Sequence, residues 1–248
     1  AQTARWCSFT TPSAVQTYRE RYPQAADRMV LIENGYDADS FDAAERQPGL
    51  GEPLNHGCVT LLHSGLVYPS ERDPTQLLAA LGQLRQSQPA VAARLRLRFR
   101  AAVHDDLLRE LATRFGVADL VELLPPVPYA DALQEMLRTD ILLILQATNC
   151  NAQVPAKLYE YLRAGRPVLC LSDAVGDTWT TLHAAGVQQM APLDSVDAIV
   201  PMLARCAEGD TRPLMPAAAA VAASSRSART VQLAALLDQC TPANRAPR

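Results

Sequence analysis

The chain has 248 residues, 48% of them apolar, with a formal net charge of −3 and a pI near 5.8. That is enough apolar material for a sizeable core, and with 5% aromatics the core has to be built from Leu, Val and Ala. The mild acidity argues against a nucleic-acid or membrane-surface partner as the main business, so any anion bound is expected to be small.

Thr11-Pro12 gives a capped helix start, and the helix is predicted to run to about Tyr22, where Pro23 stops it. Met29-Val30-Leu31-Ile32 reads as a short strand broken by Asn34-Gly35, and residues 43–57, rich in Gly, Pro and polar groups, read as a linker. From residue 58 the alternation is regular. A strand from Cys58 to His63 ends at Ser64-Gly65, a helix follows over 74–87, then a strand from Leu95 to Ala101 and a helix over 105–115 closed by Gly116. Next come a strand over 119–124, a Pro-Pro loop, a helix over 129–138, and the continuous apolar run Ile141 to Leu145, which suits a strand covered on both faces.

Residues 154–170, VPAKLYEYLRAGRPVLC, predict a helix opening at Pro155. It has an apolar stripe at Leu158, Tyr161 and Leu162, a left-handed glycine cap at Gly165, and leads into a strand over 168–171. A helix near 177–185, a short strand near Val187 and a helix over 195–207 complete the pattern. The tail is alanine-rich from Ala217 to Ala223, interrupted over Ser224 to Ser227, and amphipathic from Thr230 to Asp238. Strands alternating with helices specify right-handed βαβ units. The expected fold is α/β, a doubly wound parallel sheet of about six strands with helices on both faces.

The six cysteines, Cys7, Cys58, Cys150, Cys170, Cys206 and Cys240, form no C-x-x-C pair and no Cys/His metal spacing. Cys58, Cys170 and Cys206 lie in apolar runs, which predicts buried reduced thiols, a reducing compartment and no metal. No run approaches the roughly 18 apolar residues of a bilayer span, and the opening residues lack a basic-then-apolar signal pattern. The start at Ala1, not Met, reads as a fragment or a processed chain.

In such a sheet ligands bind at the carboxyl ends of the strands, near the point where strand order reverses. The candidates fall there: Gly65 and Arg72 after the strand ending at Ser64, Pro125 to Val127 after the strand over 119–124, and Asn149 to Lys157 after the run ending at Leu145. A glycine turn, two cations and a carboxylate on one edge point to a phosphorylated ligand. Lys157 and Glu160 lie three apart near the amino end of their helix. A cation there opposes the helix macrodipole, and Val154, the expected N-cap, has no side-chain oxygen, so a bound anion would relieve both oddities. Each group also has a plainer reading. Gly65 can be a backbone necessity of the turn, and no G-x-G-x-x-G surrounds it. Arg72 can pair with Asp73, and Lys157 with Glu160. His63, inside a strand, reads as a core histidine before a base, and His104-Asp105-Asp106 as a helix start.

Ile32-Glu33-Asn34-Gly35-Tyr36-Asp37 with Phe41, the turn His63-Ser64-Gly65-Leu66-Val67-Tyr68 with Arg72-Asp73-Pro74, and Val154-Pro155-Ala156-Lys157-Leu158-Tyr159-Glu160-Tyr161 through Gly165-Arg166-Pro167-Val168 stand in one order and spacing. Over roughly residues 10–210 this pattern resembles retaining nucleotide-sugar glycosyltransferases of the GT-B fold, group 1, in their carboxyl-terminal donor-binding domain. The resemblance implies that Glu160 holds the ribose hydroxyls of the donor, that Arg72 pairs with its diphosphate and that Lys157 is a second phosphate cation. It also places Gly65, Val127, Asn149 and Asn151 around the donor and makes Arg72 and Lys157 the stabilisers of the leaving group. Two departures stand out. Leu66 occupies a place often taken by arginine, and Ala152 stands where a first glutamate touches the donor sugar, leaving sugar contact to neighbours such as Asn149 or Asn151.

The resemblance divides the chain into 1–42, the end of a mostly missing amino-terminal domain and crossover; 43–57, the linker; 58–210, the nucleotide-sugar-binding Rossmann-like domain; and 211–248, a helical tail crossing back. It implies a hexosyltransferase-type enzyme of polysaccharide or glycolipid biosynthesis, inactive as this chain alone. The sugar would move from a nucleoside-diphosphate sugar to a glycan, lipid or small-molecule acceptor. No cofactor beyond the donor substrate, no metal and no nucleic acid are expected. Localisation is expected in the cytoplasm, or at the inner face of the membrane through peripheral association of the missing domain. The alternative is a nucleotide-sugar or phosphometabolite binding module without chemistry. A nicotinamide dehydrogenase is disfavoured by the absent glycine fingerprint.

Overall fold

A computed structural model describes residues 3–240. The extreme ends of the first and last predicted segments, residues 1–2 and 241–248, lie outside the described residues. The chain opens with β1 (Cys7–Phe9), α1 (Pro12–Arg21) and β2 (Met29–Leu31). Thr11 caps α1 as expected, its hydroxyl accepting from the Ala14 N–H at 3.3 Å. The two strands pair in parallel as a small sheet of their own over Val15, Ala25 and Met29. Next comes α2 (Ala38–Glu45), whose N-cap Asp37 accepts from the Ser40 N–H at 3.0 Å.

The remainder runs β3 (Val59–Ser64), α3 (Thr75–Ser87), the single turn α4 (Pro89–Ala92), β4 (Leu95–Arg100), α5 (Asp105–Arg114), β5 (Val121–Leu124), α6 (Tyr129–Arg138) and β6 (Ile141–Leu145). It continues through α7 (Lys157–Ala164), β7 (Val168–Leu171), α8 (Asp177–Ala184), α9 (Val196–Glu208), α10 (Ala218–Ala223) and α11 (Arg226–Cys240). Strands β3 to β7 form one parallel sheet in the order β5-β4-β3-β6-β7.

Period-two alternation decides what each face carries. Leu61, Ile141, Leu143, Leu145, Leu169 and Leu171 pack with α3, α5 and α9, while Leu62, Leu142, Ile144, Val168 and Cys170 pack with α2, α6, α7 and α8. A sheet covered on both sides needs the continuous apolar runs seen in β6 and β7. Strand β4, LRLRFR, departs from this. Leu95, Leu97 and Phe99 enter the first core, and Arg96, Arg98 and Arg100 occupy the other face.

The expected sheet of about six strands has five. No strand forms near Val187; only an isolated bridge joins Ala191 to Leu171. The Gln188 and Gln189 N–H groups turn to the Pro213 carbonyl at 2.8 and 3.3 Å, and Pro192 offers no donor to extend pairing beyond Ala191. The expected start of α7 also moves. The helix opens at Lys157 with Ala156 as N-cap, after a tight first turn in which the Leu158 N–H reaches the Pro155 carbonyl at 2.9 Å. Val154 is therefore not its cap. Gly165 is left-handed at φ 65, as the C-cap pattern required.

The six cysteines are free thiols; Cys58 is only partly buried, whereas Cys150, Cys170 and Cys206 are buried. Among the described residues no helix is long and apolar enough to cross a membrane. The tail returns to the start of the chain. Tyr36 and Arg226 exchange backbone contacts with it, the Tyr36 N–H to the Ser224 carbonyl at 3.1 Å and the Arg226 N–H to the Tyr36 carbonyl at 2.9 Å. Arg229 reaches Glu33 at 2.7 Å. A Cβ on Gly35 would stand 2.8 Å from the Ser224 carbonyl oxygen, so only glycine fits that crossing.

Candidate functional site

Strand order reverses between β3 and β6. From β3 the chain winds toward β4 and β5, from β6 toward β7, so the carboxyl ends of these two neighbours open a crevice. Gly65 lies directly beyond β3, at φ 111, a conformation that favours glycine. A Cβ there would stand 3.0 Å from Lys157 Nζ. The turn is thus glycine for two reasons, its backbone and the amine beneath it.

Lys157 Nζ lies 3.1 Å from His63 Nε2. His63, only 1% exposed, has Nδ1 3.0 Å from the Leu143 carbonyl of β6. A carbonyl accepts only, and this contact is shorter than the 3.4 Å from Nε2 to the Leu66 carbonyl, so Nδ1 carries the proton and donates. Nε2 is then a lone pair facing the amine. Burial, with Lys157 next, holds the His63 pKa well below 6.5. The ring stays neutral and serves Lys157 as acceptor. For Lys157 itself, burial and then the Arg72 charge lower the pKa to about 7, partly offset by Glu160. Among the described residues no carboxylate comes within ion-pair distance of this amine, so the Lys157–Glu160 pair does not form. Lys157 is the single lysine among the 23 Lys and Arg residues of the chain.

Arg72 stands close enough to act on both groups. It lies over the Tyr68 ring at 5.4 Å, with Nη1 3.5 Å from the Leu66 carbonyl. The Arg72–Asp73 pair does not form either: Asp73 accepts from the Thr75 N–H at 2.9 Å and its hydroxyl at 2.5 Å, at the start of α3. The structure thus gathers Gly65, Arg72 and Lys157 at one turn, where among the described residues the guanidinium contacts a ring face and a distant carbonyl.

Glu160 lies one turn along α7. The Tyr129 hydroxyl donates to its Oε1 at 2.8 Å, and partial burial with this contact pushes the Tyr129 pKa up to about 12. Tyr129 begins α6, directly after the loop that holds Val127. Arg100 Nη1 donates to the Pro125 carbonyl of that loop at 2.7 Å. Arg100 in turn grips Glu135 of α6 with two bonds of 2.8 Å, and Arg98 joins the same carboxylate at 3.1 Å and Glu122 at 2.6 Å. Sequence reasoning missed this network. Its signal was the regular arginine at alternate positions of LRLRFR, which places the cations on one face of β4 opposite an acid of α6. The loop borders a groove of about 610 Å³ lined by Leu66, Ala101 to Leu107 and Leu124 to Pro126. Ala101 and Val103 are left-handed at φ 57 and 71, a strained state for a β-branched valine.

Asn149 and Asn151 have partners of their own. Asn149 Nδ2 donates to the Ser70 carbonyl at 2.9 Å and Asn151 Nδ2 to Asp173 at 2.7 Å. Beside them the start of α1 docks on the sheet domain. Thr11 Oγ1 donates to the Ala152 carbonyl at 3.1 Å, and Ser13 N–H and Oγ donate to buried Asp177 at 3.0 and 2.8 Å. On the other flank a cleft of about 430 Å³ is lined by Ser70, Asp73, Gln146, Thr148, Asp173 and Asp194 among others. Among the described residues no group of three or more His, Cys, Asp or Glu could hold a metal ion.

No family model matches the chain. Over 201 residues it is 29% identical to D-inositol 3-phosphate glycosyltransferase of Geodermatophilus obscurus, covering 75% of this chain and 42% of that protein. The α,α-trehalose 6-phosphate synthase from Burkholderia multivorans superimposes with a TM-score of 0.70 at 12% identity, over 95% of this chain and 60% of that one. Anabaena HepE in complex with UDP-glucose gives 0.66 at 17%, over 95% and 64%. The chain therefore spans less than half the length of the curated relative and under two thirds of these structures. The structural likenesses show a shared fold, an α/β domain built on a parallel sheet. The curated relative is a glycosyltransferase, and the sequence signature resembles that of glycosyltransferases.

Proposed function

We propose that the chain is the donor-binding part of a glycosyltransferase that moves a sugar, with retention, from a nucleoside-diphosphate sugar to a glycan, lipid or small-molecule acceptor. The observation that carries this reading is the Lys157 amine, enclosed beneath a glycine turn beside Arg72 with no carboxylate to pair with. Two cations facing one turn at the carboxyl end of β3 suit a diphosphate, and would stabilise it as it leaves. Glu160, one helical turn further, suits the ribose diol, a carboxylate accepting from two hydroxyls in place of the Tyr129 phenol. The Pro125–Pro128 loop with Val127 and the groove beside it would receive the base. By resemblance, acceptor binding and closure belong to a further domain, so the 248 residues bind donor and transfer no sugar above background by themselves.

The test is calorimetry of the chain with UDP, GDP and ADP against the matching nucleosides. Binding of at least one diphosphate, much tighter than its nucleoside, is expected; equal affinity for both, or none for any, refutes the reading. A second reading, a nucleotide-sugar binding module without chemistry, has one observation in its favour. Ala152 offers no side-chain contact, and the Asn149 and Asn151 amides are engaged elsewhere, which leaves the donor sugar few partners. Transfer by the chain joined to its acceptor partner separates the two.

A further inference from the structure

The sole lysine of a chain that otherwise meets every need for a strong cation with arginine stands at the one turn where an anion is expected. Arginine cannot give up its proton in a protein, whereas a buried lysine can. The surroundings of Lys157 favour that exchange. From β3 it meets the His63 lone pair, from the following loop the Arg72 cation, and on its own helix only the Glu160 carboxylate, whose Oε1 is bonded to Tyr129. Tyr161, the other titratable side chain near the turn, accepts from the Ser64 N–H at 2.9 Å and stays protonated. His63 is locked from behind by the Leu143 carbonyl of β6, so the imidazole cannot turn its donor toward the amine.

We propose that His63 is a positioning residue that holds the Lys157 amine against the Gly65 turn in a form able to gain and lose a proton, and that a diphosphate binding there draws one proton from solvent onto Nζ. Release of the diphosphate returns the proton. The choice of ligand rests on the nucleoside-diphosphate reading above; the proton exchange rests on the enclosure of the amine beneath the Gly65 turn, held there by His63, beside Arg72 and without a carboxylate partner among the described residues. Arg72 keeps the turn cationic throughout, while Lys157 takes its full charge when an anion is present, so two cations need not stand side by side without one.

Because there is one lysine, labelling the full chain with isotopic lysine gives one side-chain resonance. Its titration is expected near neutral pH in the free protein, well below the ordinary lysine value of about 10.4, and to move up when inorganic pyrophosphate or UDP is added. Calorimetry at about pH 8.5, in Tris and in HEPES, should show uptake of close to one proton per bound pyrophosphate, and none for Lys157→Arg. His63→Leu, which removes an acceptor for the ammonium, should lower the lysine midpoint further and weaken pyrophosphate binding. His63→Gln, whose amide oxygen can accept in place of Nε2, should preserve both. A lysine midpoint near 10 in the unaltered chain overturns the proposal. So do pyrophosphate and UDP binding without uptake, no binding of either, or a titration unmoved by His63→Leu. If pyrophosphate binds with uptake and no nucleoside diphosphate binds, the nucleotide reading falls and the proton exchange stands; UDP bound without uptake is the reverse.

Discussion

At Glu160 one carboxylate oxygen is already in use, because the Tyr129 phenol donates to it at 2.8 Å. A ribose diol has to displace that phenol. Glu160→Ala is expected to weaken nucleoside diphosphate binding by roughly 1.5 to 3 kcal/mol through loss of a charged acceptor, with the melting temperature barely changed. Tyr129→Phe should strengthen binding by up to about 1 kcal/mol, since the carboxylate then waits unoccupied. Calorimetry of both variants decides: weaker binding by Tyr129→Phe would mean that the phenol touches the ligand. For Arg72→Ala the loss should fall on the diphosphate and not on the nucleoside, and should shrink as salt rises.

Among the elements, α6 and β4 have to be treated together. Glu135 is buried between Arg98 and Arg100, and Arg100 alone reaches the Pro125 carbonyl. Glu135→Ala leaves two part-buried guanidinium groups without their shared carboxylate, at a cost of about 3–5 kcal/mol in denaturant unfolding. It should also loosen the Val127 loop and weaken nucleotide binding, whereas a merely structural network would change stability alone. The bounds of α6, 129–138, were legible because its apolar positions repeat at helical spacing between a proline loop and an apolar strand. The pairing across it to β4 was not, because periodicity reports which side of an element is covered and not by whom. The same holds for Lys157. Its place near the helix start was readable, but the His63 lone pair arrives from 94 residues away in sequence. Val187 misled for a related reason: it is fully buried like a strand residue, yet the N–H groups after it serve the Pro213 carbonyl.

For the molecule as a whole, the buried basic groups make stability depend on pH in one direction. Lys157 falls from 10.5 to about 7 on folding, so between those values the unfolded chain binds more protons and stability rises with pH. His63, held well below 6.5, adds the same sign: its contribution is lost as pH falls through 6.5, where the unfolded imidazole takes up a proton. The melting temperature should therefore climb from mildly acid pH to about pH 9, above which the buried Cys170 and Cys206 thiols, both pushed up to about 12, oppose it. Lys157→Met should flatten the climb above about pH 7. A melting temperature highest at acid pH would contradict both assignments. Finally, the crossing at Gly35 joins residues 33–37 to 224–229, with Arg226 reaching the Gly35 carbonyl across 191 positions of sequence. The described chain is thereby fastened into a ring by a seam of few bonds, several of them exposed, while the sheet inside carries its own two cores. Such a seam can unzip while the sheet stays folded, freeing α11 in one step. The Tyr36 and Arg226 amides should then exchange with deuterium at a common rate, far faster than those of β6, and Gly35→Ala should accelerate that pair and leave β6 protected.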